Sequence, residues 1–161
     1  MEIMKQMYDI ASLLDTTDDL TWTGETYRRL GALEMEYRRM EGRDIRSVAE
    51  DTIATALCIS TNGYGHEEDF RFYSDGITRV RNFIHTERYN MIGAVRDAAK
   101  AAYAAACALN KIATPQRYNP QALEELAAAR IPASFSSRLN NLKTQNPEAF
   151  FYWLKTSELM Q

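Results

Sequence analysis

A histidine among arginines is the part of this sequence best suited to chemistry on a phosphate. Residues 77–89 read ITRVRNFIHTERY, which places Arg79, Arg81 and Arg88 within a few positions of His85. An imidazole can transfer protons near neutral pH, and guanidinium groups can stabilise the charge of a phosphodiester under attack. The segment therefore predicts His85, Arg81 and Arg79 as candidate catalytic residues.

This pattern resembles the active motif of the HEPN superfamily, helical proteins many of which are metal-independent ribonucleases. That motif is an arginine, four to six further residues and a histidine, with a polar residue usually following the arginine. Arg79 and His85 have five residues between them, although Val80 is apolar, whereas Arg81 precedes the polar Asn82 but lies only three residues from His85. The resemblance implies that His85 moves protons while a neighbouring 2′-hydroxyl attacks the phosphate. Arg79 or Arg81 would stabilise the developing charge, and a second subunit would complete the site.

The same basic region also predicts nucleic-acid binding without cleavage. Residues 71–100 contain six basic and three acidic side chains. In a helix Arg81, Arg88 and Tyr89 would share one face, with Arg96 further along. Binding to phosphates would weaken steeply with salt, because each contact releases counterions. A solvated surface with ion-paired arginines is the alternative interpretation.

A second candidate for nucleic-acid binding lies in residues 121–143, which read as two short helices joined by a tight turn. Arg138, Asn141 and Lys143 fall on the outward side of the second helix. Such side chains contact base edges and phosphates in helix-turn-helix proteins. Pro132 occupies the turn, so a hairpin that covers the end of a helical bundle is the alternative.

Two further clusters of polar side chains favour structural roles. Residues 28–46 contain six arginines interleaved with acids at helical spacing, which is typical of an ion-paired, solvated face. His66 and Asp69 could share a face of a helix, but the sequence has no second histidine or cysteine pair at zinc spacing. We therefore predict no metal site and no cofactor.

The distribution of proline and glycine predicts an all-α protein. All four prolines lie at or after Pro115, and all seven glycines lie at or before Gly93. Proline inside a helix costs ~3 kcal/mol or more, so the chain before Pro115 is free to form long helices. We predict a compact bundle of five or six main helices in residues 1–112. Residues 113–161 should form a C-terminal hairpin and a capping helix from Pro147, packed on the same single domain.

Apolar periodicity locates the helices. Residues 97–108 contain eight alanines in twelve positions, which predicts the central helix within residues 91–112. Near the N-terminus, Thr23 is a predicted N-cap and Gly42 a predicted helix end. Two predicted core-facing stripes recur every three or four residues: Ile3, Met7, Ile10, Leu13 and Leu14, then Tyr27, Leu30, Leu33, Tyr37 and Met40.

Composition favours a small, soluble interaction protein. The net charge is −3, and hydrophobic residues make up 45% of the chain. The N-terminal segment lacks the basic start of a signal peptide, and no apolar stretch approaches the ~20 residues that span a membrane, so we expect a cytoplasmic location. We expect Cys58 and Cys107 to be buried, reduced thiols. The leading functional hypothesis is an interaction or regulatory protein that binds a protein or a nucleotide-type ligand, or self-associates, without catalysis of its own.

Overall fold

The structure, a computed structural model, describes residues 2–40, 42–84 and 89–161. Within these ranges the chain forms eight α-helices and two short 3-10 turns, Pro120–Ala122 and Ser137–Asn141, and no strand. The predicted all-α helical bundle is confirmed. The helices are α1 (Glu2–Thr16), α2 (Thr21–Tyr37), α3 (Ile45–Ser60), α4 (Glu67–Val80), α5 (Met91–Leu109), α6 (Leu123–Ala128), α7 (Leu142–Gln145) and α8 (Pro147–Leu159).

Helix α5 is the centre of the bundle, as its alanine content predicts. Thirteen of its 19 residues are buried, and α1, α3 and α8 pack around it. Alanine has a high helix propensity and a short side chain, so it favours the helix and also allows neighbouring helices to approach closely. The Asn90 side chain begins the helix by accepting hydrogen bonds from the backbone of Ile92 and Gly93. The helix ends at Leu109 rather than at the expected Ile112.

Capping side chains fix the starts of two other packed helices. Asp44 accepts a hydrogen bond from the backbone nitrogen of Ser47 at 3.0 Å and begins α3. Asn146 accepts one from the backbone of Ala149 at 3.3 Å, directly before Pro147 in α8. Each cap satisfies a backbone donor that the first turn of a helix leaves unpaired. The start of α8 at Pro147 is the one predicted from sequence.

Helix α1 buries only part of the predicted stripe: Met7 and Leu14 are in the core, whereas Ile10 is 38% exposed. Its core-facing side chains are Met4, Met7, Ala11 and Leu14, whereas Leu13 is 65% exposed. The buried residues also recur every three or four positions, but one of them is an alanine. The predicted stripe was therefore right at Met7 and Leu14 and wrong at Ile10 and Leu13, which are exposed while Met4 and Ala11 are buried.

Helix α2 differs more from its predicted form. It begins at Thr21, where Asp19 accepts a hydrogen bond from the backbone nitrogen, and not after an N-cap at Thr23. It ends at Tyr37 rather than near Gly42, because Arg39 already takes a left-handed backbone conformation with φ of 53°. The predicted core-facing residues of this helix are largely exposed, as described below.

Arg117 anchors the segment that follows α5. Its guanidinium donates hydrogen bonds to the carbonyl oxygens of Leu14 at 2.6 Å and Thr17 at 2.7 Å, and contacts Asp18 at 3.2 Å. These carbonyls belong to the C-terminal end of α1, where helices have unpaired acceptors and a partial negative charge. One side chain therefore holds the chain after α5 against the end of α1.

The C-terminal residues form the predicted hairpin from short helical pieces. The Asn140 side chain accepts a hydrogen bond from the backbone nitrogen of Ile131 and donates one to its carbonyl oxygen, both at 3.0 Å. Leu139 is fully buried. Next to the hairpin, the indole of Trp153 in α8 donates to the Ser60 hydroxyl at 2.9 Å, which joins α8 to the end of α3.

Replacing Arg117 with methionine should destabilise the fold, because the carbonyls of Leu14 and Thr17 lose their charged donor. We expect a loss of about 1 to 2 kcal/mol in the free energy of unfolding, measured by urea denaturation. Arg130→Met is the matched control, since Arg130 is exposed at the end of the α6 region. Equal losses in the two variants would contradict the anchoring role of Arg117.

Candidate functional site: an exposed apolar face on α2

Large apolar side chains line one side of α2 and face solvent. Trp22, Leu30, Leu33 and Tyr37 are 77%, 55%, 59% and 86% exposed. An α-helix has 3.6 residues per turn, so these four positions lie within an arc of about 80° around the helix axis. We call these four side chains the α2 stripe. Single exposed apolar residues are common on protein surfaces, but four on one arc of one helix form a continuous patch.

Glycines turn the stripe away from the bundle. A Cβ on Gly24 would lie 3.6 Å from the Cα of Ala108, and a Cβ on Gly31 would collide with the Ile45 side chain. Helix α2 therefore packs on its glycine side, roughly opposite the stripe. Arg28 also belongs to the packed side, where it donates a hydrogen bond to the carbonyl oxygen of Ala108 at 2.6 Å.

An open groove runs beside the stripe, between the C-terminal half of α2 and the start of α3. Its volume is about 540 Å³, and Leu30 belongs to both the groove and the stripe. The other lining residues include apolar side chains and charges of both signs: Met35, Met40, Val48, Glu34, Arg38, Arg43 and Asp51. Such a surface can bury an apolar side chain and contact polar groups around it.

Tyr27 also lines the groove, but its hydroxyl is poorly suited to acid–base chemistry. Burial raises the pKa of Tyr27, the Thr52 hydroxyl opposes this shift, and the nearby Asp51 carboxylate raises the pKa further. The phenol therefore stays protonated near neutral pH. Its contribution to the groove is an aromatic surface, because its hydroxyl oxygen is buried.

A buried ionic network is the second candidate site, and it is centred on Lys100. The Lys100 side chain is 3% exposed, and its ammonium contacts Asp15 at 2.8 Å and Glu148 at 2.7 Å. Burial lowers the pKa of Lys100, but the hydrogen bonds to these two carboxylates outweigh it, so the pKa is raised overall. A lysine that stays charged is neither a nucleophile nor a general base. The network instead joins α1, α5 and α8.

Asp97 lies in the same region and has a raised pKa. Its side chain is 2% exposed, and Arg96 donates a hydrogen bond to it at 3.0 Å. Burial raises the pKa of Asp97 to about 6, although Arg96, Lys100 and Tyr89 oppose the shift. A carboxyl with this pKa can exchange protons near neutral pH. Its burial, however, keeps a substrate from reaching it in this conformation.

The raised pKa of Asp97 predicts a pH-dependent stability. The folded state binds this proton more readily than the unfolded state, so stability falls as the pH rises from about 4 to about 6. Asp97→Asn removes this titration. Relative to the parent, the variant's free energy of unfolding should increase by roughly 2 kcal/mol between pH 4 and pH 7, measured by denaturant unfolding at each pH.

The comparison with the parent isolates Asp97, because every other carboxyl titrates in both proteins. An exposed aspartate provides the control, and Asp75→Asn should keep the parent's pH profile. A difference between Asp97→Asn and the parent that does not change with pH would contradict the raised pKa.

The predicted Arg–His motif is described only in part. His85 and Arg88 lie outside the described residues, so the ribonuclease-like pairing with Arg79 or Arg81 stays a prediction. Arg79 lies in the last turn of α4 and Arg81 directly follows it, and both are exposed.

Two other residues predicted to bind nucleic acid take part in internal contacts. Tyr89 was expected on an outward face, but it is 1% exposed, and its ring packs edge-on against Tyr8 with the centroids 5.8 Å apart. This is a correction of the prediction: α4 ends at Val80, so the helical phase that placed Tyr89 outward does not continue to it. The Arg96 guanidinium contacts the buried Asp97, as described above.

The three hairpin residues predicted to bind nucleic acid, Arg138, Asn141 and Lys143, have different surroundings in the structure. The Arg138 guanidinium stacks on the Tyr64 ring, 3.3 Å from its centroid. Lys143 donates a hydrogen bond to the carbonyl oxygen of Ala127 at 2.9 Å. Asn141 is exposed at the end of the second 3-10 turn. Arg138 therefore joins the C-terminal region to the loop between α3 and α4, whereas Lys143 joins two pieces of the C-terminal region to each other.

Three further features of the described residues concern metal ions, thiols and membranes. Among them, no three histidine, cysteine, aspartate or glutamate side chains are grouped so that they could hold a metal ion. Cys58 and Cys107 are buried free thiols, as predicted. Within the described ranges, none of the helices combines the length and apolar character that crossing a membrane requires.

Comparisons of the chain with protein-family models, with curated proteins and with solved structures find no match. The candidate site therefore depends on the geometry of the chain itself. Sequence analysis found Leu30, Leu33 and Tyr37 but assigned them to the core. The sequence feature that indicates the packed side of α2 is the pair Gly24 and Gly31, which lie two helical turns apart and opposite the stripe.

Proposed function

We propose that this chain is a helical interaction protein, of an adaptor or regulatory kind and without catalysis of its own, that binds another polypeptide through the α2 stripe. The observation that carries the proposal is the exposure of Trp22, Leu30, Leu33 and Tyr37 on one arc of one helix. An exposed apolar patch of this kind is typical of a surface that a partner covers.

The types of side chain in the stripe support a protein partner. Tryptophan and tyrosine are enriched among residues that contribute most to binding, because they bury a large apolar area and keep a polar atom for a hydrogen bond. Burying the exposed part of Leu30 or Leu33 would contribute about 1 kcal/mol each. Several such contributions together reach the binding free energy that a specific complex needs.

The shape of the surface favours an amphipathic helix as the bound segment. Leu30, Leu33 and Tyr37 follow one another at intervals of three and four residues, which is the spacing that matches apolar residues on a facing helix. The groove beside Leu30 could take one larger side chain of the partner. Glu34 and Arg38, which pair with each other at 3.2 Å, lie at its edge and can exchange contacts with polar residues of the partner.

A nucleotide-type ligand has less support at this surface. Phosphate recognition depends on arginine or lysine side chains that are not neutralised by acids. In the groove, Arg38 is paired with Glu34, and the charge of Arg43 is balanced by Asp51 in the same lining, so the lining has no net positive charge. The balance of charges thus favours a polypeptide over a phosphate-bearing ligand.

A photo-crosslinking amino acid in place of Leu33 tests this proposal in cells that naturally make the protein. We expect a discrete polypeptide adduct, whose crosslinked peptide carries apolar residues at helical spacing. A second substitution, Leu30→Glu, should strongly reduce the adduct, because it places a charge in the stripe. The measurement is mass spectrometry of the purified adduct.

The matched control places the same crosslinker at Leu13, which is 65% exposed on α1. The proposal requires an adduct at position 33 that position 13 does not give. Equal capture at both positions, insensitivity to Leu30→Glu, or an adduct with nucleic acid would each contradict it.

A further inference from the structure

We infer that the helix bound by the α2 stripe is α2 of a second copy of this chain, packed antiparallel to the first. This inference rests on the proposed function, because it names the partner of the same surface. Three observations carry it: the spacing along the stripe, the position of two unpaired charges, and the accessibility of this side of α2.

The spacing of the exposed residues is that of a two-helix seam. Five exposed positions of α2 alternate at intervals of three and four residues, as the a and d positions of a heptad repeat do. They are Thr23, Thr26, Leu30, Leu33 and Tyr37. In an antiparallel pair centred between Leu30 and Leu33, each of these leucines packs against the other leucine of the second copy. The two Leu30–Leu33 contacts at the centre are then equivalent, because the two-fold axis of the pair passes between them.

Two opposite charges determine the antiparallel direction. Arg29 and Glu36 lie on the same edge of the stripe, seven residues apart, and neither forms an ion pair within the described residues. In the antiparallel pair Arg29 lies near the partner's Glu36, and symmetry forms this contact twice. A parallel pair would place Arg29 near the partner's Glu34, a residue that Arg38 already holds at 3.2 Å.

The surroundings of α2 leave room for a second copy. The glycine side of the helix, with Gly24 and Gly31, faces its own bundle, so the two bundles of an antiparallel pair lie on the outside. Helix α2 has 17 residues and is about 25 Å long, which makes the interface smaller than that of most obligate dimers. We therefore expect a reversible dimer, populated in the micromolar range.

Sedimentation equilibrium of the purified full chain over a range of micromolar concentrations tests the inference. The apparent mass should rise from 18.4 kDa toward twice that value. Leu33→Glu should weaken dimerisation by about a hundredfold or more, because two charges would meet in the seam. Ile92→Glu is the control, since Ile92 is 64% exposed in the first turn of α5, and it should leave the association unchanged.

A charge exchange tests the antiparallel direction separately. Arg29→Glu and Glu36→Arg should each weaken dimerisation about tenfold, because each replaces two attractive contacts with repulsive ones. The double variant R29E/E36R should restore the parent's affinity. Circular dichroism confirms that each variant keeps the helical content of the parent, and these exposed positions make loss of folding unexpected.

Three results would overturn the inference: a monomer at every concentration, a dimer that survives Leu33→Glu, or a double variant that fails to recover. The proposed function has a separate test. If the crosslinker at position 33 captures a different polypeptide while the purified chain is monomeric, the self-association fails and the proposed function stands. If position 33 captures no polypeptide and the chain is monomeric, both fail.

Discussion

The short side chains of α5 set the distance at which the other long helices can pack. Helices α1, α3 and α8 pack along α5 and α2 contacts it through Gly24, so a larger residue at any of its buried alanines would push at least one of these helices outward. Close packing also buries the polar residues of α5, and a buried charged group needs a partner. Lys100 reaches Asp15 on α1 and Glu148 on α8, and a mispacked α8 would leave its ammonium buried with only one carboxylate.

Helix α2 has one closely packed side and one exposed apolar side. Its glycines permit contact with α5 and α3 along one side, while its large apolar residues gain nothing from that contact. A helix that existed only to cover the core would place leucine where α2 has Gly24 and Gly31. The outward side of α2 instead carries the large apolar residues that define the candidate site.

Sequence analysis predicted the features that depend on local interactions. The start of α8 at Pro147 and the alanine-rich centre follow from side chains within a few residues of each other, so they can be recognised without knowledge of the fold. The exposure of Leu30 and the burial of Tyr89 depend on which distant helix covers each face. Periodicity shows that a helix has an apolar side, but it does not show whether the same chain or another one covers it.

The positions of the two tryptophans give the molecule two separate optical signals. Trp153 is fully buried in α8 with its indole bonded to Ser60, whereas Trp22 is 77% exposed on α2. Indole emission shifts to shorter wavelength in an apolar environment. Blue-shifted emission from Trp153 therefore reports an intact core, while the red-shifted emission of Trp22 responds to whatever covers α2. The native chain can thus distinguish unfolding from complex formation by its own fluorescence.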